Sequence, residues 1–149
     1  KFKDYLDKET TKGKDACIIA LSTCDLDIYG SLLSATAPAP LKVLAGIGYP
    51  VLGMNKLLSF SKRQPIEKVS KNTVPVSLFE DTDYDLISAV LYSSSDPLNA
   101  PLLPESTFQI FLNPLARVPL PYCFYTYIDA WNYENEVWKK IPAREAMSK

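Results

Sequence analysis

The chain has 149 residues, 47% of them apolar and 22% charged, with a net charge of −1 and a pI near 5.5. Those proportions exclude wholesale disorder, leave room for one modest core and give the molecule no general attraction to nucleic acid. There is no histidine, which removes Ser–His–Asp triads, Cys–His dyads and most zinc sites and leaves carboxylate, lysine, tyrosine or cysteine chemistry, or none.

Residues 2–12 read as a short charged helix with Phe2, Tyr5 and Leu6 on one side, stopped near Gly13. Residues 16–22 are a short apolar run whose length predicts a buried strand. Asp25 to Ala35 predicts a helix that closes at an Ala-Pro-Ala-Pro connector over residues 37–40. Residues 41–60 are mostly apolar but broken by Gly46, Gly48, Pro50 and Gly53, and 61–73 predict an exposed basic loop. Val74 to Phe79 alternates around Pro75 and predicts an edge strand. Residues 83–93 predict a helix with Leu86, Val90 and Ser93 along one face, followed by a Ser/Pro-rich connector over 94–106. Residues 107–112 predict a strand with Phe108, Ile110 and Leu112 on one face, and the three prolines of 113–121 predict extended chain. Ile128 to Lys140 predicts a helix with Trp131 and Trp138 on one face and Pro142 just past its end. The expected fold class is α+β, a small mixed domain with short helices, few strands and extended proline-rich segments. A single domain over 1–149 is expected, and a start at Lys1 rather than Met reads as a processed chain or part of a longer one.

Breakers and charges are segregated along the chain. All five glycines lie at or before Gly53, whereas the 96 residues after it hold nine prolines. Without glycine, tight hairpin turns are hard to build, so that half is expected to favour extended segments that lie along a partner. Residues 41–72 sum to +5 and residues 73–136 to −8. Two readings follow: the segments neutralise each other in the folded chain, or they present charged surfaces to partners. The three cysteines, Cys17, Cys24 and Cys123, are an odd count that suits buried thiols in a reducing compartment or organelle better than a disulfide-rich secreted domain.

Four clusters bear on chemistry. The run Ile18 to Asp27 ends in Asp25-Leu26-Asp27, two carboxylates following an apolar strand, the type of place that holds Mg²⁺ or Mn²⁺. It resembles the first motif of haloacid-dehalogenase-like phosphotransferases and the Asp-x-Asp of nucleotide-sugar glycosyltransferases, over fewer than ten residues. Tyr29 stands where the first family has Thr or Val. The competing reading is a helix-capping Asp followed by a solvated one. Asp81, Asp83 and Asp85 imitate the opening of an EF-hand, but Leu86 occupies the position of its glycine and Tyr92 that of its last glutamate. Gly46-Ile47-Gly48 is followed by Pro50, which spoils a phosphate-binding helix start. The twelve apolar residues Val43 to Met54 are too short to span a bilayer as a helix, and with flanking Lys42 and Lys56 they suit either a buried segment or one lying on a membrane surface or partner. The fourth cluster is aromatic: Tyr122, Phe124, Tyr125, Tyr127, Trp131, Tyr133 and Trp138, seven of seventeen aromatics within seventeen residues. No basic residue interrupts it before Lys139, so a core or a protein interface is favoured over nucleic-acid stacking.

Taken together these features predict a non-catalytic accessory or interaction subunit of a larger assembly, peripheral to a membrane, with no cofactor. Its partners would be other protein subunits and a membrane surface rather than nucleic acid. The interface residues expected from sequence are Val43, Tyr49, Tyr122, Tyr125, Trp131 and Trp138. The alternative is a small divalent-metal enzyme fragment for phosphotransfer or glycosyl transfer, with Asp25 and Asp27 as metal ligands. An acidic module presenting residues 80–96 to a basic target is a third reading.

Overall fold

Strands rather than helices make up most of the regular structure among the described residues. The computed structural model describes residues 14–22, 39–52, 58–67, 69–71, 73–93, 108–134 and 137–143. Contacts divide the chain into two units, one of Lys1–Asp27 with Asp83–Lys149 and the other of Ile28–Thr82. The second is thus inserted in the sequence of the first.

The first unit is built on a five-stranded mixed sheet of β1 (Ile18–Ser22), β6 (Ala89–Ser93), β7 (Phe108–Leu112), β8 (Asp129–Glu134) and β9 (Val137–Ile141), in that spatial order. β1 runs parallel to β6, β6 antiparallel to β7, β7 parallel to β8 and β8 antiparallel to β9. Parallel neighbours need a long crossover. Between β1 and β6 that crossover carries the whole second unit. Between β7 and β8 it is residues 113–128, which are rich in proline and hold a single 3₁₀ turn, Tyr122–Tyr125.

This second crossover lies over one face of the sheet. Leu120, Tyr125 and Ile128 reach down to Ala89, Leu91, Ile110 and Leu112, which the ladder places on that same face. On the opposite face Val90 and Phe111 are buried, and Phe111 stacks on Trp131 with centroids 6.5 Å apart and planes 10° from parallel. Burying a side chain such as Phe111 contributes about 2–3 kcal/mol.

Two buried polar residues hold the crossover in place. Asn113 donates from Nδ2 to the carbonyls of Tyr84 (3.1 Å) and Ile87 (2.8 Å), and its Oδ1 accepts from Leu115 N–H (3.0 Å). Its own N–H donates to Ser88 C=O at 3.0 Å. Ser88 Oγ accepts from Cys17 N–H (2.9 Å) and donates to Val118 C=O (2.6 Å). One amide and one hydroxyl therefore tie the start of β1, the start of β6, the end of β7 and the crossover together. Just outside, Arg117 grips Asp85 through Nε and Nη2, while its N–H donates to Asp85 C=O at 2.7 Å.

The second unit, taken by itself, starts with α1 (Ala39–Leu44), which buries Leu41 and Leu44, and runs into the hairpin of β2 (Ile47–Leu52) and β3 (Leu58–Lys62). A minimal ladder pairs β4 (Ile66–Glu67) with β5 (Thr73–Val74), and the 3₁₀ turn Leu78–Glu80 buries Phe79. Gly46 ends α1 at φ +60°, and a Cβ there would fall on Ser77 Oγ. Ser77 is itself left-handed at φ 69° and donates its N–H to Val43 C=O at 2.8 Å.

The mixed fold class stands, but strands outnumber helices: among the described residues there are nine strands and one α-helix. The strands expected at 16–22 and 107–112 are present, although β1 is largely exposed because it is an edge rather than a central strand. Neither expected helix within the described part of the acidic half forms. Residues 83–93 become a 3₁₀ turn (Thr82–Tyr84) and β6, because Ser88 and the apolar run after it are used by neighbouring strands. Residues 128–140 become the β8–β9 hairpin, so the absence of glycine did not prevent a hairpin there. The edge strand expected over 74–79 shrinks to β5, and the exposed loop over 61–73 contains the β4–β5 ladder. Residues 113–121 turn rather than run extended, with Ala116 N–H donating back to Asn113 C=O. Of the connector placed at 37–40, Ala39 and Pro40 are the first turn of α1, where proline's missing N–H costs nothing. The connector at 94–106 and the helices expected at 2–12 and 25–35 lie outside the described residues.

The Asn113→Ala variant is expected to lose about 2–4 kcal/mol of stability in urea unfolding, since Ile87 C=O and Leu115 N–H lose their side-chain partner and Tyr84 C=O keeps only Ile87 N–H. Gly46→Ala should destabilise by at least about 1 kcal/mol in the same measurement, because alanine pays for positive φ and meets Ser77.

Candidate functional site

The crossover from β7 to β8 is also where the molecule shows its aromatic side chains. Pro119 and Pro121 keep the chain out of regular structure, and Phe124 N–H donates to Pro121 C=O at 3.0 Å to close the 3₁₀ turn. Thr126 Oγ1 donates to Tyr122 C=O at 3.2 Å and fixes the turn's far end. Because Leu120, Tyr125 and Ile128 point into the core, the residues between them point away from it. Tyr122 is 41% exposed, Phe124 57% and Tyr127 72%. Cys123, also on this turn, is an exposed free thiol, contrary to the expectation of a buried one. Cys17 is half-buried and free, and Cys24 lies outside the described residues.

The turn borders a polar strip of the β8–β9 hairpin. Asn132, Glu134 and Lys139 share the crossover's face of the sheet, since Ile110 pairs with Ala130 and Asn132 with Lys139. Asn132 Nδ2 donates to Glu134 Oε1 at 2.9 Å, and Lys139 Nζ lies 3.9 Å from Glu134. Tyr122 packs edge-on against Tyr125 at 5.2 Å between centroids. Burial of the Tyr125 phenol, then the neighbouring Tyr122 and then the Glu134 carboxylate, raise its pKa above the ordinary tyrosine value. The result is an exposed aromatic turn on a rigid base, flanked by a carboxylate, an amide and an ammonium. Such a surface suits binding, as tyrosines and phenylalanines bury area at low entropic cost while the polar strip supplies directed hydrogen bonds.

The sequence-derived interface residues are not brought to one place. Tyr122 and Tyr125 meet on the crossover's face. Trp131 and Trp138 lie on the other face, where Trp138 packs on Tyr133 at 5.4 Å and Lys140 pairs with Asp129 at 2.6 Å. They do share a face, as a helix would have arranged, but through the hairpin register that sets Trp131 opposite Lys140 and Tyr133 opposite Trp138. Both tryptophans are half-buried, and Trp131 Nε1 and Gln109 Oε1 are enclosed on that face without a hydrogen-bond partner. Val43 is a half-buried residue of α1, and Tyr49 belongs to β2. The described part of the apolar segment, residues 43–52, is therefore a helix end and a strand, not one continuous helix. Among the described residues no helix is long and apolar enough to cross a membrane.

Asp25 and Asp27 lie outside the described residues. Among the described residues no cluster of three or more Cys, Asp or Glu side chains is placed to hold a metal ion. Of the EF-hand-like acids, Asp83 lies in the 3₁₀ turn Thr82–Tyr84, and Asp81 and Asp85 flank it. Lys62 Nζ meets Glu80 at 2.6 Å, one link between the basic and acidic segments of the sequence. The exposure of Phe124 and Tyr127 is what sequence reasoning missed, since their composition fitted core and interface equally. Their place between three core-facing residues of a crossover decided it.

Comparison with protein-family models, curated sequences and solved structures finds no match to this chain.

Because Tyr125 binds its proton more tightly in the folded state, its contribution to stability is complete below pH 10 and is lost as pH rises through its raised folded value. Tyr125→Phe is expected to flatten the loss of stability above pH 10, and Glu134→Gln to move the Tyr125 titration back toward the ordinary value in ultraviolet absorbance.

Proposed function

We propose that this chain is a non-catalytic accessory subunit that docks on another protein of a larger assembly through its aromatic turn, Tyr122–Tyr127. The observation that carries this reading is the pairing of exposure with anchoring. Phe124 and Tyr127 stand out in solvent while Leu120, Tyr125 and Ile128 on either side are fixed against the sheet. A surface held in its binding conformation loses little entropy on docking. Glu134 and Lys139 beside it would set orientation and favour a partner with complementary charges. The buried polar residues support a non-catalytic role. Ser88 and Asn113 are 2% and 6% exposed and spend their polar atoms on main-chain partners, which leaves neither as a nucleophile or base.

The test uses the full chain, tagged and recovered from the cells that make it. The wild type is expected to elute in a stoichiometric complex larger than itself. Phe124→Ser combined with Tyr127→Ser should release the partner and leave the thermal midpoint unchanged. A double variant that keeps its partner would refute the role of the turn. Binding of the wild type to anionic lipid vesicles, lost in the same variant, with no protein partner in the complex, would move the role to a membrane surface.

A further inference from the structure

We propose that β1 is a contact between two copies of this chain, the two β1 strands pairing antiparallel about a two-fold axis at Ala20 so that two five-stranded sheets continue as one. This inference is independent of the aromatic turn, which lies on the crossover between β7 and β8.

The two edges of the sheet differ in a way that bears on self-association. β9, at one edge, carries Lys139 on one face and Lys140 on the other. Edge lysines discourage a further strand from adding, and two such strands side by side would set like charges together. β1, at the other edge, reads Ile-Ile-Ala-Leu-Ser and has no charged side chain. Ile18 is 36% exposed and Leu21 38%, and Ala20 and Ser22 are exposed as well. Among the described residues no strand pairs with its outer side.

The main chain of β1 is also suitably phased. Cys17 turns its N–H and C=O toward β6, donating to Ser88 Oγ and accepting from Ser88 and Ala89 N–H. Alternation along a strand sends Ile19 and Leu21 the same way and leaves the N–H and C=O groups of Ile18, Ala20 and Ser22 on the outer edge. In the antiparallel pair Ala20 faces Ala20 of the second copy, and each Ile18 faces a Ser22. All three are outward-directed residues, so roughly six main-chain hydrogen bonds form. On one face Ile19 meets Leu21 of the other copy, an apolar pair, and the small Ala20 at the axis puts no bulk between the strands. A two-fold pairing closes on itself, whereas β1 against β9 of a second copy would repeat without end.

The wild-type chain is expected to sediment as a dimer at high micromolar concentration. Ala20→Lys and Ala20→Glu each place like charges opposite one another at the axis and should weaken the dimer at least about tenfold. An equimolar mixture of the two variants should dimerise again. Amide exchange gives a reading that needs no variant. Protection at Ile18, Ala20 and Ser22 should rise with concentration, whereas Ile19 and Leu21 should be protected throughout. A wild type that stays monomeric overturns the proposal, whatever other strand the edge then takes up. So does a dimer that survives Ala20→Lys, a mixture that fails to pair, or outer-edge amides whose exchange ignores concentration. Loss of the dimer on Phe124→Ser with Tyr127→Ser, and not on Ala20→Lys, would place the self-contact at the aromatic turn and overturn it as well.

Discussion

The first unit depends on a side-chain amide. Asn113 sits at the end of β7, where the chain must leave the sheet, and its side chain bonds main-chain groups on either side of the departure. Its partners are the carbonyls of Tyr84 and Ile87, just ahead of β6, and the N–H of Leu115, just after Pro114. A main chain leaving a sheet at a proline has few ways to satisfy itself, and an unpaired buried carbonyl costs about as much as the hydrogen bond it lacks. Ser88 completes the arrangement from the other side by linking Cys17 to Val118. These two residues let a proline-rich crossover, with no α-helix in it, cover the sheet.

The surface above follows from that constraint. Once the crossover is pinned at Asn113 and Val118, its apolar residues Leu120, Tyr125 and Ile128 seat on Ala89 and Ile110. The spacing between those anchors then forces Phe124 and Tyr127 outward. Aromatic area, a carboxylate and an ammonium stand on a fixed base, and the nearby buried hydroxyl and amide are spent on structure. The opposite face has a different character, with the Phe111–Trp131 stack joining β7 to the hairpin and the Asp129–Lys140 pair tying the hairpin's two strands together.

Where sequence reading went astray, it did so for one physical reason: spacing alone does not distinguish the two periodic structures. Trp131 and Trp138 are seven apart, which puts them on one face of a helix. The same residues share a face of a hairpin when the two strands are joined by a two-residue step. The strand-favouring Trp, Tyr, Val and Ile of this segment, around Asn135-Glu136, were the better signal. Leu86 and Val90 likewise fit a helical stripe, yet only the run from Ala89 is long enough to fill the slot between β1 and β7.

By itself the sequence determined the absence of histidine from this chain, the strands at 16–22 and 107–112, the mixed fold class and the concentration of aromatic residues after Pro121. Those features rest on composition and short-range pattern, which each residue carries with it. Only the tertiary structure decided which aromatics face solvent, that β1 is an exposed edge, and that Ala89–Ser93, Asp129–Glu134 and Val137–Ile141 are strands rather than helices. Each of these depends on what lies alongside in space. Partners such as Asn113 and Tyr84, 29 residues apart in the chain, leave no mark in any local window.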